Sequence, residues 1–166
     1  KLATRAGASK HQGDIAKIVL GVNQTRDAVI GPLNVAAKYV DRISKGDIPE
    51  KITDSYNGDF NVIKSNLNQC IAAVNALVAD AGVLSKAAVE GKLATRADAT
   101  KHQGDFAKIV KGVNDTLDAV IGPVNEATIV LDRLANNDLT VRIETDYQGD
   151  HAKIKTSLNS ALDGLT

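Results

Sequence analysis

"KHQGD" at residues 10–14 returns at 101–105, and looser copies, "SYNGD" at 55–59 and "DYQGD" at 146–150, complete a set of four. How this stretch is read decides the fold. It is either one catalytic loop repeated or a mark that starts the same structural element four times. Its glycine falls at Gly13, Gly58, Gly104 and Gly149, in steps of 45, 46 and 45, and an asparagine follows ten residues after each, at Asn23, Asn68, Asn114 and Asn159. A stronger repeat of 91 residues lies over this one: "KLATRA" at 1–6 returns at 92–97, and "DAVIGP" at 27–32 returns at 118–123. The short period is therefore the structural unit, and the long one is a pair of unlike units, A then B, duplicated in tandem. A once-only active site does not repeat like this. Repetition argues for architecture.

Working outward from the motif, each unit shows the same apolar pattern. Phe60, Ile63, Leu67, Cys70, Val74, Leu77, Ala81, Leu84 and Ala88 follow alternating steps of three and four. That is a heptad seam, the mark of a helix packed lengthwise against partners. Ile71 and Val78 widen it into a stripe broad enough for a four-helix bundle. The same frame runs from Ile15 through Pro32 to Ile43, and from Phe106 through Pro123 to Leu134. Three helices of about 33 residues are expected, each ~50 Å long, with a shorter fourth from Gly149.

Composition narrows the function. Twenty basic and twenty acidic residues cancel, so no net field draws the chain to nucleic acid or anionic lipid. Aromatic residues make up only 3%, poor stock for a ligand pocket but adequate for thin bundles of Ala, Val, Ile and Leu. Cys70 is the single cysteine, which excludes an intramolecular disulfide framework; its place on the seam marks it as a core filler. No apolar run approaches ~18 residues, so no membrane contact is expected. Lys1, in the place of an initiating Met, reads as a cut end of something longer.

Between the helices lie "GDIPEKITDSYN", "GKLATRADATKHQ" and "NDLTVRIETDYQ", longer than the roughly 2–8 residues that join antiparallel helices. An extended dozen residues reaches roughly 40 Å. Such a connector can climb back beside the helix it has left, so the next helix starts near the top and runs parallel. Its spaced apolar residues, Ile48 and Ile52, Leu93 and Ala97, Leu139 and Ile143, would tuck between helices. Gly58, Gly104 and Gly149 then end the climb, and Asp59, Asp105 and Asp150 sit in a first helical turn, where a carboxylate suits the free N–H groups.

A parallel helix, a climbing connector and a second parallel helix resemble the HAMP domain of bacterial transducers. "GPLNVAAKYVDRISKGDI" at 31–48 matches that family's first helix, with its early Pro and a Gly-Asp-apolar end, and Leu67-Asn68 follow Asp59 at the spacing of its second helix. Gly58-Asp59 stands where the family carries Asp-Glu, and the B unit lacks the Pro. These departures are similar to the concatenated HAMP arrays of methyl-accepting chemotaxis proteins and some histidine kinases. On this resemblance, residues 1–30 form the back half of one unit, 31–76 a unit with Pro, 77–121 one without, and 122–166 another with Pro. The implied assembly is all-helical: a parallel homodimer whose units are four-helix coiled-coil bundles, two helices from each chain, with long continuous helices joined by extended connectors.

The remaining residues fit that frame. Pro32 and Pro123 are expected inside continuous helices, as a kink or tightened turn at the joint between units, and not as helix ends. The four asparagines are expected to face solvent or bond a connector carbonyl. His11, His102 and His151 have no Cys or His at ligand spacing, so no metal, haem or other cofactor is expected. Nor is catalysis, since no paired acid, nucleophile or phosphate loop surrounds the motif. The expected role is relay of a conformational change, in a cytoplasmic segment of an inner-membrane receptor, from an input domain to a chemotaxis output domain of the same chain. The alternatives are a passive coiled-coil spacer, the array of a histidine kinase, or an antiparallel ligand-sensing monomer.

Overall fold

The computed structural model describes residues 4–165. The opening three residues of the half-unit expected over 1–30, and the last residue of the unit expected over 122–166, lie outside that range. The described residues contain four α-helices and no strand: α1 (Gly13–Ser44), α2 (Asp59–Val89), α3 (Gly104–Ala135) and α4 (Gly149–Asp163). Two short 3₁₀ turns, Ala8–Lys10 and Ala99–Lys101, stand just before α1 and α3.

Helix boundaries follow from backbone chemistry. Each long helix ends by bonding the N–H one residue past a left-handed position back across five residues: Asp47 to Arg42, Lys92 to Ala87, Asp138 to Arg133, at 2.8–3.0 Å. The left-handed residue is Gly46 (φ 77°), Gly91 (φ 71°) or, in the third copy, Asn137 (φ 62°). These are the residue types that tolerate such a conformation. Helix starts use the same device in reverse. The motif glycines Gly13, Gly58, Gly104 and Gly149 all have φ between 55° and 62°, turning an extended connector sharply into a helix. No side chain caps the helix at Gln12, Gln103 or Gln148. Of the three prolines, Pro32 and Pro123 lie inside helices that continue through them, and Pro49 lies in a connector.

The chain divides into two compact units, Lys1–Val78 and Ala79–Thr166. In the first, Pro32, Val35 and Ala36 of α1 share a small pocket with Tyr56, Phe60 and Ile63 at the start of α2. The opening of α2 therefore stands beside mid-α1, and the two helices run parallel. In the second, Tyr147, just before α4, bonds Glu126 in the last third of α3, while Asp163 at the far end of α4 pairs with Arg142, whose guanidinium also bonds the Leu139 carbonyl just past the end of α3. Parallel order holds there too, so the antiparallel reading fails. A core of Val130, Ile143 and Leu162 joins α3, connector and α4, flanked by Leu134, Leu139 and Leu158.

Burial departs from the heptad seam. Ile71, Ala87, Val110 and Ile121 are buried, beside the seam, because the side of the helix that a connector climbs differs from the side where the heptad line lies. Along the line itself Pro123 and Val130 are buried, yet Ile18 is 65% exposed, Ile109 50% and Val120 49%. Cys70, expected in the core, is exposed. One further expectation needs correcting. Although no unbroken apolar run exists, α2 is, among the described residues, long and apolar enough in composition to cross a membrane, with mean hydropathy 1.4 in its best window. Asn68, Gln69, Asn75 and Asp80 in the same helix and the connector bonded to it argue against that environment.

Glycine position decides the sign of a substitution. Gly104→Ala, at φ +55°, is expected to destabilise by about 1–2 kcal/mol, whereas Gly122→Ala, in an ordinary helical turn with nothing within 4 Å of the added carbon, is expected to stabilise by ~0.5–1 kcal/mol. Thermal or urea unfolding of the two variants checks the opposite signs.

Candidate functional site

The chemistry of this chain is concentrated where each connector climbs its helix. An extended ribbon on a helix flank has no neighbouring strand to satisfy its peptide groups. One asparagine per unit replaces that strand. Asn68 accepts from the Ile52 amide at 2.7 Å and donates to the Ile52 carbonyl at 3.0 Å. Asn114 does the same for Ala97 at 3.1 and 2.8 Å, and Asn159 for Ile143 at 2.9 and 3.0 Å. Asn23 holds Ala6 in the leading half-unit at 3.1 and 2.9 Å. The primary amide is the one neutral side-chain group that offers donor and acceptor side by side. The sequence reading left these residues facing solvent or bonding a connector carbonyl; the structure has them on the connector, and the amide bond beside the carbonyl makes the grip two-pronged.

An ion pair reinforces the grip. The residue before the clamped one is Arg5, Arg96 or Arg142, and each reaches an aspartate on the helix ahead: Asp27 at 2.6 Å, Asp118 at 2.6 Å and Asp163 at 2.7 Å. In the remaining connector Lys51 takes the arginine's place, and the matching helix positions are Ala72 and Ala73. That unit lacks the pair. Sequence reading missed these bonds, although the recurring Arg–Asp offset of 21 or 22 residues was there to be counted.

The other singled-out residues fall as follows. Ile52 and Ile143 are buried beneath the connector, Ile48 and Leu139 are half-buried, and Leu93 is 39% exposed. Pro123 is buried and Pro32 half-buried. Asp105 and Asp150, like Asp14, are exposed and pair with a lysine three residues on, Lys108 and Lys153 at 2.7 and 2.6 Å. Asp59 has Val62 at that place. Gly58, Gly104 and Gly149 serve through their backbone alone. Nothing brings these residues together into one pocket; they recur, one set per unit. Among the described residues no group of three or more His, Cys, Asp or Glu is placed to hold a metal ion.

Electrostatics follow the connectors as well. The Thr100 hydroxyl and amide hold the Asp98 carboxyl below its ordinary value of 3.8. The Thr140 hydroxyl and amide, with Arg133, do the same to Asp138. Arg42 acts likewise on Asp47 at the end of α1.

Parallel helix pairs, each joined by an extended connector clamped to the second helix, define a class of all-helical repeat protein built for transmitting helix displacement. Within that class the match is specific. The family model for the HAMP domain matches residues 10–76 and 101–166, more than half of the chain, at two tandem positions offset by the 91-residue repeat. The chain belongs to the HAMP domain family. HAMP domains are signal-relay modules of bacterial receptors rather than a catalytic family, and they lie in the cytoplasmic region of membrane receptors. A comparison with curated proteins finds no match.

Two outcomes test the site. Asn68→Ala removes both bonds to Ile52 and is expected to cost about 1–3 kcal/mol, with faster hydrogen exchange at the Ile52 amide; Asn68→Asp, which keeps the acceptor only, should fall between. In acid, the depressed carboxylates contribute stability that is complete above their ordinary value of 3.8 and is lost as pH falls below it through their lowered folded values. Protease cleavage in 90–103 and 136–148 should therefore rise below about pH 4, before global unfolding.

Proposed function

We propose that this chain is a poly-HAMP relay segment acting as a parallel homodimer with itself, each unit a four-helix bundle built from two helices of each chain. The observation that carries this reading is the exposed heptad line. Connectors cover one flank of each helix, yet Ile15, Ile18, Val22, Val29, Val113 and Val120 are all at least 41% exposed on a single chain. A continuous apolar line at heptad spacing is what a second coiled-coil copy buries. At ~0.8 kcal/mol per buried CH₂, nine such positions per helix are ample to drive pairing.

The mechanism is conformational. A displacement of the input helices repacks one bundle between two states of similar energy, and the adjoining helix passes that repacking to the next unit. The A and B units differ in connector length and in Pro, so they favour opposite states and each inverts its input. The chain would act between an input domain and a chemotaxis output domain, as a cytoplasmic segment of an inner-membrane receptor, without catalysis, cofactor or nucleic acid. Support for bistability, against a passive spacer, comes from the Thr, Ala and Gly on or beside the seam, where a rigid rod would carry Leu.

Light scattering is expected to give twice the chain mass. Ile63→Cys, placed in a Cys70→Ala background, should crosslink two chains at like positions under mild oxidation. A compact monomer that does not crosslink would sink the relay reading.

A further inference from the structure

Three residues before each motif aspartate stands His11, Tyr56, His102 or Tyr147, and the last three stand where a connector meets the helix it has left. The residue type alternates with the 91-residue repeat. In the last unit the Tyr147 hydroxyl donates to Glu126 at 2.5 Å, and the Thr145 hydroxyl shares that carboxylate at 3.1 Å. In the unit with Pro32, Tyr56 lines a small, largely apolar pocket together with Val35 of α1, and its hydroxyl stands 3.5 Å from Asp54. In the unit between them, His102 Nε2 stands 2.6 Å from Asp80 Oδ2, its side chain 2% exposed and that of Asp80 29%. His102 is the one buried polar or charged residue among the described residues. The same mechanical position, where the top of the connector is fastened to the upstream helix, is thus occupied by an apolar contact, a His–Asp pair and a Tyr–Glu pair.

Among the described residues Asp80 is the charged group bonded to His102, while the Asp98 carboxylate feels the ring at longer range. On α2, residues 76–84 contain no other ionisable side chain. The connector brings Asp98 and Lys101, which face each other at 3.9 Å. The first turn of α3 brings Asp105 and Lys108, paired at 2.7 Å and at least 80% exposed. A charge on the His102 ring is therefore met by Asp80. An imidazolium against a carboxylate makes a stronger bond than a neutral ring does. Histidine is also the side chain whose ordinary titration falls between about pH 5 and 8. The tyrosine fastenings stay neutral there, because the hydrogen bond to Glu126 pushes Tyr147 above 10 and burial pushes Tyr56 the same way.

We propose that the His102–Asp80 pair is a proton-controlled latch, tight when the ring is charged and looser when it is neutral, present in the B unit and replaced by pH-indifferent fastenings in the A units. Protons would then be a second input, acting on connector 90–103 alone. The latch stands on its own geometry, whereas its use as a regulator rests on the relay reading.

The test is hydrogen exchange on the full chain, corrected for intrinsic rate, at the amides of 97–103 from about pH 5 to 8, beside an NMR titration of the His102 ring. Protection there should fall roughly three- to tenfold as the ring loses its proton, while 45–58 and 136–148 stay level. In His102→Gln, and in His102→Tyr, which copies the A units, protection at 97–103 should no longer depend on pH. The latch is overturned if protection stays constant through the ring's titration, if His102→Gln shows the same fall, or if all three connectors respond alike. A chain that is monomeric yet keeps the pH response at 97–103 would sink the relay and leave the latch standing.

Discussion

The whole structure depends on how an extended ribbon is held to the side of a helix. Helices satisfy their own peptide groups, and strands satisfy one another's, but a lone extended segment has neither. Here a primary amide projecting from the helix takes the place of the missing strand, bonding one residue's N–H and C=O at once. The clamp fixes the connector's register to within one residue. Register in turn decides which apolar side chains face inward, since neighbours along an extended chain point to opposite sides. Of the clamped residues, the two large apolar ones, Ile52 and Ile143, are buried, whereas Ala97 is half-buried and Ala6 exposed.

From that attachment the direction of the helices follows. A connector clamped to the asparagine of the helix ahead and fastened at its top by Tyr147 or His102 delivers the next helix start beside the last third of the previous helix. Left-handed residues make the two sharp corners this requires, at Gly91 and Gly104 for one connector and at Asn137 and Gly149 for the next. Parallel neighbours are costly to connect, and about a quarter of the chain is given to that purpose. The return is that neighbouring helices keep the same direction, an arrangement that suits the signal-relay family to which the chain belongs.

Much of this was legible from residue order alone. The 45-residue period, the heptad line and the connector length together made parallel helices the expectation, with an antiparallel monomer left open until the contacts of Tyr147 and Asp163 were seen. The asparagine was visible as a recurrence, and only its second bond was not. Burial was the weaker part. The heptad line locates the face a coiled-coil partner would want, but within one chain the residues sealed from water are those under the connector, such as Ile71, Val110 and Ile121. Cys70 was misplaced for the same reason.

The order of residues by itself determined the repeat, the helices and their corners, and made a common direction the expectation, because each rests on local conformational preference or on contour length. Only the tertiary structure decided which charged groups meet. Arg96 finds Asp118 and His102 finds Asp80 across more than twenty residues, separations that become contacts only once the ribbon lies on the helix at a definite register. A pairing of that kind depends on ångström-level placement, which periodicity does not carry.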